Sequence, residues 1–275
     1  MRAEFITSVA NQKVKKLTAL QKKAKLRREE QTFIIEGERL FRDTPARFVR
    51  EIYVTEEFLI ANEKLVSRKL AETERAVPVT VLTQAVFEKV SATQTPQGVM
   101  CAARMPSYEM KDLMGSGKNT AAPLLLILEN IQDPGNLGTI FRTAEAAGAT
   151  GILMSEGTAD LFNPKTVRAT MSAIFRMPFV YTRDLTGDIV RLRDEGVQVY
   201  AAHLGAKKAY DEYDYRGASA FLIGNEGNGL TDAAAGAASH RLLIPMQGEI
   251  ESLNAAMAAG ILAYEASRQR RNPEA

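Results

Sequence analysis

The chain has 275 residues and a mass of 30.2 kDa, enough for one large or two ordinary domains with well-buried cores. Apolar residues at 45% and charged residues at 25% exclude wholesale disorder. A single cysteine, Cys101, excludes a disulfide framework or a multi-cysteine metal site, and two histidines, His203 and His240, leave little material for a histidine-bound metal. No apolar run approaches the roughly 20 residues of a membrane span, and the basic N-terminus has no apolar core after it to make a secretory signal. The expectation is a cytoplasmic protein of a reducing compartment, with no metal and no membrane.

The net charge of +2 hides an asymmetry, because residues 1–50 hold 13 Lys/Arg against 6 Asp/Glu, a net of +7, which leaves −5 on the rest. Within that head Lys13, Lys15, Lys16, Lys22, Lys23, Lys25, Arg27 and Arg28 stand without an acid among them. Val14, Leu17, Leu20 and Ala24 recur at steps of three and four, so the stretch is predicted to be an amphipathic helix with one packed side. Its other side is either a solvated face or a surface for a polyanion.

Thr32–Gly37, Glu51–Thr55 and Val77–Leu82 read as strands, with helical segments near 56–75 and 83–91 and an end to the domain near Gln97–Ala103. They predict a small α/β domain over 1–106. Residues 107–122 read as a linker by composition. The Gly-Ser-Gly-Lys run at 115–118 lacks the preceding strand and the following hydroxyl of a phosphate loop. From 123 to 275 short apolar runs at 124–128, 151–154, 179–181, 197–202, 220–223 and 242–244 alternate with helices expected at 137–147, 163–175, 184–195 and 252–270. That alternation predicts a parallel sheet covered on both faces, with its ligand site beyond the carboxyl ends of the strands.

Three of those strands lead into loops rich in glycine and small polar residues. The first is Asp133-Pro-Gly-Asn136-Leu-Gly-Thr-Ile-Phe-Arg142, the second Gly224-Asn225-Glu226-Gly227-Asn228-Gly229, and the third runs from Ile244-Pro-Met246 to Ser252-Leu253-Asn254. Such loops let backbone amides approach a ligand closely. Asn136 is the expected N-cap of the helix that follows the first loop, whose buried face is Leu137, Ile140, Phe141 and Ala144. Arg142 points away from that face, toward either a salt bridge with Glu145 or a phosphate or ribose. The second loop has its glycines in the wrong order for a dinucleotide fingerprint.

Taken in order, the three loops resemble the three motifs of the SpoU/TrmH family of SPOUT-class RNA 2′-O-ribose methyltransferases. Asn11 to Lys15, Phe33 to Gly37 and Thr95 to Val99 are similar to the substrate-binding domain of its ribosomal RNA branch. The resemblance implies a C-terminal SPOUT domain with a trefoil knot, against the usual rarity of knots, preceded by a small RNA-binding domain. It implies S-adenosyl-L-methionine as cofactor, ribosomal RNA as substrate and a homodimer. A tRNA substrate, or a catalytically silent RNA-binding assembly factor, is the competing reading.

On this resemblance Arg142, Asn136, Glu226, Ser252 and Asn254 are the catalytic set, with Asn136 placing Arg142 or the ribose, Glu226 ordering the second loop, and Ser252 and Asn254 capping the last helix. Gly224, Asn225, Gly227, Ile244, Met246 and Leu253 line the cofactor pocket. Lys13, Lys15, Lys22, Lys23, Lys25, Arg27 and Arg168 contact RNA, Arg168 from the partner subunit. The chain departs from many relatives at Thr170-Met-Ser172-Ala173, where Ser172 stands in place of a glycine. His203 and His240 read as structural or surface residues, and Cys101 as a buried small apolar side chain.

Overall fold

The computed structural model describes residues 3–115 and 122–272, so most of the Gly-Ser-Gly-Lys run lies outside the described residues. In chain order the elements are β1 (Ala3–Ile6), α1 (Gln12–Lys22), α2 (Ala24–Glu30), β2 (Thr32–Glu36), α3 (Glu38–Asp43), β3 (Val49–Thr55), α4 (Glu56–Ala61), α5 (Glu63–Ala71), β4 (Val79–Leu82), α6 (Gln84–Val90) and β5 (Val99–Arg104). They continue with α7 (Met110–Leu113), β6 (Leu124–Leu128), α8 (Pro134–Ala147), β7 (Gly151–Ser155), α9 (Pro164–Ala169), β8 (Phe179–Thr182), α10 (Leu185–Asp194), β9 (Gln198–Ala202), β10 (Ser219–Ile223), α11 (Asp232–Ala237), β11 (His240–Leu242) and α12 (Ala255–Arg271). Two compact units result, Met1–Pro106 with Asp160–Phe175, and Ser107–Ala159 with Arg176–Ala275.

The first unit is built on a five-stranded sheet ordered β1-β4-β3-β5-β2. β1, β4 and β3 run parallel, while β5 is antiparallel to both β3 and β2. Val14, Leu17 and Leu20 of α1 pack on Ile34, Tyr53 and Met100, which is the packed side that the spacing predicts. Residues 160–175 belong to this unit although they follow β7 in sequence. Phe162 and Phe175 stack against Phe33 at 4.9 and 5.9 Å, and Phe175 meets Phe48 at 5.1 Å. Cys101 is fully buried in β5, and burial pushes its thiol pKa up to about 12, so it behaves as the small apolar residue expected.

The second unit holds a six-stranded parallel sheet ordered β11-β9-β10-β6-β7-β8. Every residue of β6, β7 and β10 is buried, which is why these strands read as unbroken apolar runs. Each Leu or Ile so buried contributes about 1.5–3 kcal/mol relative to exposure. Leu113, Ile189 and Ala234, from α7, α10 and α11, pack with Leu125, Ile127 and Leu222 on one face. α12 packs on α8 and on β6 and β10. β10 pairs with β6 so that Ile223 stands beside Leu128, which brings the loops after these two strands together.

Several local expectations change. β1 was not expected, and the helix predicted over 56–75 is two, α4 and α5, meeting at Asn62. Within 107–122, α7 is a packed element. Leu113 is fully buried, and a Cβ on Gly151 would stand 2.7 Å from its Cα. The helix predicted over 163–175 stops after Ala169, because Met171 (φ 48°) and Ser172 (φ 73°) adopt left-handed backbone, which ends helical hydrogen bonding. No helix among the described residues is long and apolar enough to cross a membrane.

Candidate active site

The first loop is shaped by a capping arrangement other than the one expected. Asp133, not Asn136, is the N-cap of α8: its Oδ1 accepts from the Asn136 amide at 2.9 Å, and Pro134 opens the first turn, where its missing N–H costs nothing. Leu137, Ile140, Phe141 and Ala144 are fully buried as predicted, and Gly148 in left-handed conformation ends the helix. With the cap supplied by Asp133, the Asn136 side chain is free for longer-range contacts.

It uses that freedom to join the other two loops. Asn136 Nδ2 donates to Glu226 Oε1 at 2.9 Å, and Asn136 Oδ1 accepts from Asn254 Nδ2 at 2.9 Å. Glu226 also accepts from the backbone amides of Gln132 (3.0 Å) and Asp133 (3.1 Å). Partial burial opposes ionisation, but these donors outweigh it and hold the Glu226 carboxyl below the usual carboxylate range. Asn254 is the N-cap of α12, its Oδ1 accepting from Ala256 at 2.9 Å and Met257 at 3.3 Å. Ser252 does not share this capping, since α12 begins at Ala255 and the loop residue before it is exposed.

The second loop closes on itself. Asn225 and Gly229 exchange backbone hydrogen bonds at 3.0 and 2.9 Å. Asn225 Oδ1 accepts from Gly227 and Asn228 at 3.0 Å, while its Nδ2 donates to the Asn130 carbonyl at 2.7 Å. The Asn225 side chain is therefore spent on bracing the loop. A Cβ on Gly224 would fall inside the backbone of Gly229 and Leu230, so only glycine permits this turn. Behind the loops, the buried carboxylate of Glu129 accepts from Thr231 N at 2.8 Å and Thr231 Oγ1 at 2.7 Å, tying the end of β6 to the start of α11.

Two cavities open on these loops. The smaller, of about 270 Å³, brings together Gly224, Asn225, Gly227, Ile244, Met246 and Leu253. It also includes Ala202, His203 and Leu204 from the end of β9, three residues with no sequence motif to mark them. His203 Nδ1 accepts from Gly205 N at 3.0 Å. The larger cavity, of about 490 Å³, has Asn136, Glu226, Ser252 and Asn254 on its wall. Glu226, Ser252, Leu253 and Ala255 border both. An apolar slot rimmed with backbone amides thus adjoins a polar recess lined by amide and carboxylate groups.

Arg142 stands apart from the Asn136 relay. It is exposed and makes no hydrogen bond or ion pair among the described residues. The salt bridge to Glu145 does not form, because Arg176 takes that carboxylate, with Nη2 donating to Oε2 at 2.9 Å.

In the first unit the basic residues sort sharply. Arg27 is 3% exposed, bonded to the carbonyls of Leu20 (2.7 Å) and Gln21 (3.0 Å) and paired with Asp160; it is an interior cation, not a surface for phosphate. Lys13 is likewise engaged, by Glu51 at 2.9 Å and Glu4 at 3.0 Å. Lys15, Lys22, Lys23 and Lys25 are exposed. Arg168 lies in the last turn of α9, with a buried Nη1 that has no hydrogen-bond partner. His240 stacks on Tyr200, ring centroids 5.2 Å apart.

Comparison with known proteins places this geometry. Residues 123–264 match the SpoU rRNA Methylase family, and residues 11–101 match the MRM3-like substrate binding domain. The chain is 35% identical over 259 residues to the 23S rRNA (guanosine(2553)-2′-O)-methyltransferase RlmP of Bacillus subtilis (strain 168), covering 94% of this chain and 97% of that protein. The AdoMet-bound rRNA methyltransferase from Sinorhizobium meliloti superposes with a TM-score of 0.84 at 31% identity, over 97% of this chain and 98% of its own. The SpoU methyltransferase AviRb from Streptomyces viridochromogenes, solved with AdoMet, gives a TM-score of 0.81 at 25% identity, over 95% and 99% of the two chains.

Proposed function

The chain belongs to the SpoU rRNA methylase family, and from that premise we propose that it methylates a ribose 2′-hydroxyl in large-subunit ribosomal RNA, with S-adenosylmethionine as cofactor. The observation that carries this reading is the Glu226–Asn136–Asn254 relay, which lines the polar recess and through Glu226 borders the adjoining apolar slot. The choice of large-subunit RNA rests on the likeness to RlmP and on the matched substrate-binding segment.

The smaller cavity fits the cofactor: Ile244, Met246 and Leu253 offer an apolar slot for a flat ring, and the second loop presents amides over the glycine cradle at 224. Bound there, S-adenosylmethionine supplies an electrophilic methyl group on a sulfonium. The larger cavity then receives the ribose. Asn136 and Asn254 each keep one amide N–H beyond the relay, and these orient the ribose oxygens beside Ser252. Glu226 is an ionised anchor that orders the loops. Arg142, exposed and without a partner among the described residues, grips the phosphate next to the reacting ribose with its planar fork and so positions the hydroxyl. Arg168 is the second arginine offered to RNA.

The same reading includes the family's knot through the second and third loops, a homodimer, and a cytoplasmic site of action. Exposed Met257 (59%) and Tyr264 (47%) lie seven residues apart on one side of α12 and supply an apolar face for a second copy. The test is transfer of labelled methyl to purified ribosomal and transfer RNA. Alkali-resistant label in large-subunit rRNA supports the proposal. Label in tRNA alone replaces the substrate, and no cofactor binding at all makes the chain a silent RNA-binding protein.

A further inference from the structure

The basic head of the first unit divides by its partners. Lys13 is held by Glu4 and Glu51, Lys16 by Glu30 at 2.8 Å, and Arg27 is buried against Asp160. Lys15, Lys22 and Lys23 enter no ion pair among the described residues, and they meet in one groove of about 350 Å³. Lys15 and Lys22 are seven residues apart on α1, on the side that also carries Thr18 and Ala19. A fourth ammonium, Lys89, enters the same groove from α6, more than 60 residues on in sequence. Buried Val14 and Val90 line it together with exposed Val9, and no carboxylate lines it.

We propose that this groove between α1 and α6 is the seat of the RNA backbone, held by Lys15, Lys22, Lys23 and Lys89, while Lys13, Lys16 and Arg27 are structural cations; the inference rests on the RNA substrate proposed above. Four like charges converging without a counter-ion repel one another, and a polyanion relieves that repulsion. The lining is lysine, with no arginine fork to read a base edge and no aromatic ring to stack on one. It therefore grips phosphates and sets the position of the RNA without reading its sequence.

The experiment is filter binding of transcribed large-subunit rRNA to the full chain between 50 and 300 mM KCl. Lys89→Gln is expected to weaken affinity about 5–10-fold near 0.1 M salt and to lower the log–log salt slope by about 0.7–0.9. Lys22→Gln with Lys23→Gln and Lys89→Gln is expected to lower the slope by about 2–3. Lys16→Gln, which removes an equal charge outside the groove, is expected to leave both within error. If all variants keep the wild-type slope, or if Lys16→Gln reduces it as much as Lys89→Gln, the groove is not the RNA seat. Failure of the wild type itself to bind rRNA would instead remove the substrate reading on which the groove depends.

Discussion

Asn136 sits between Glu226 and Asn254 with both ends of its amide committed, Nδ2 to Glu226 and Oδ1 to Asn254, each at 2.9 Å. The directions of these bonds are forced. An ionised Glu226 can only accept, and Asn254 must turn its oxygen to the amides at the start of α12, so it can only donate toward Asn136. Residues from the start of α8, the second loop and the N-cap of α12 thus hold one another in a single orientation.

The ionisation of Glu226 carries a pH signature. Its folded-state pKa lies below the ordinary carboxylate value, so the stabilisation it contributes is present above about pH 4.3 and is lost as pH falls through the lower, folded-state value. Thermal melts of wild type and Glu226→Gln are therefore expected to differ by a constant amount from pH 6 to 8 and to converge in acid. A gap that widens on acidification would contradict the sign of the shift.

Arg142 has no partner among the described residues, so its removal leaves none of them unpaired. Arg142→Ala is expected to lower methyl transfer by about 10²-fold or more while the cofactor Kd stays within about 3-fold. Arg142→Lys keeps the charge and loses the planar fork, and should recover only a small part of the rate. Calorimetric cofactor titration beside single-turnover transfer separates the two effects, and equal loss of both would remove Arg142 from its assigned place.

Ser172 is fully buried at φ 73°, with its Oγ 3.2 Å from Asp43 Oδ2. Replacing it by alanine removes the hydrogen bond and keeps the strain of the left-handed backbone; replacing it by glycine removes the hydrogen bond and the strain together. Ser172→Gly is accordingly expected to be more stable than Ser172→Ala by about 1 kcal/mol, the reverse of the usual order. Urea unfolding of the pair decides it, and an alanine variant at least as stable as the glycine one would show that the turn carries no strain.

The buried Arg27 gives a stability prediction where the surface lysines give none. Arg27→Ala leaves Asp160 and two carbonyls without their donor and is expected to cost about 2–4 kcal/mol. Lys23→Ala is expected to change stability by less than about 0.5 kcal/mol. Denaturant melts that place the two variants together would mean that the head is a uniform charged surface.

Much of the second unit was legible because its strands are covered on both faces: Leu124–Leu128 reads as a strand from composition alone, and the apolar face of α8 follows from its spacing. The loops were legible as loops, but not their internal wiring. Asp133 and Asn136 both suit an N-cap, and the choice is settled by Glu226 and Asn254, each about 90 or more residues away. β1 escaped notice because four residues with one buried side chain, Ile6, carry no pattern, and α11 because an alanine-rich turn has no apolar contrast. The break at Met171 and Ser172 was hidden by the absence of the glycine that ordinarily announces a left-handed residue. Which basic side chains are free was invisible too, since Glu4, Glu51, Glu30 and Asp160, the partners of Lys13, Lys16 and Arg27, are supplied by the tertiary fold.

The most direct test of the relay is single-turnover methyl transfer to large-subunit rRNA by Asn136→Ala, with cofactor affinity measured on the same preparation. The account expects a rate lower by about 10²-fold, with the cofactor Kd within about 3-fold of wild type, because the amide orients the ribose from the recess and does not line the cofactor slot. Transfer at the wild-type rate, or a loss of cofactor affinity in proportion to the loss of rate, would contradict it.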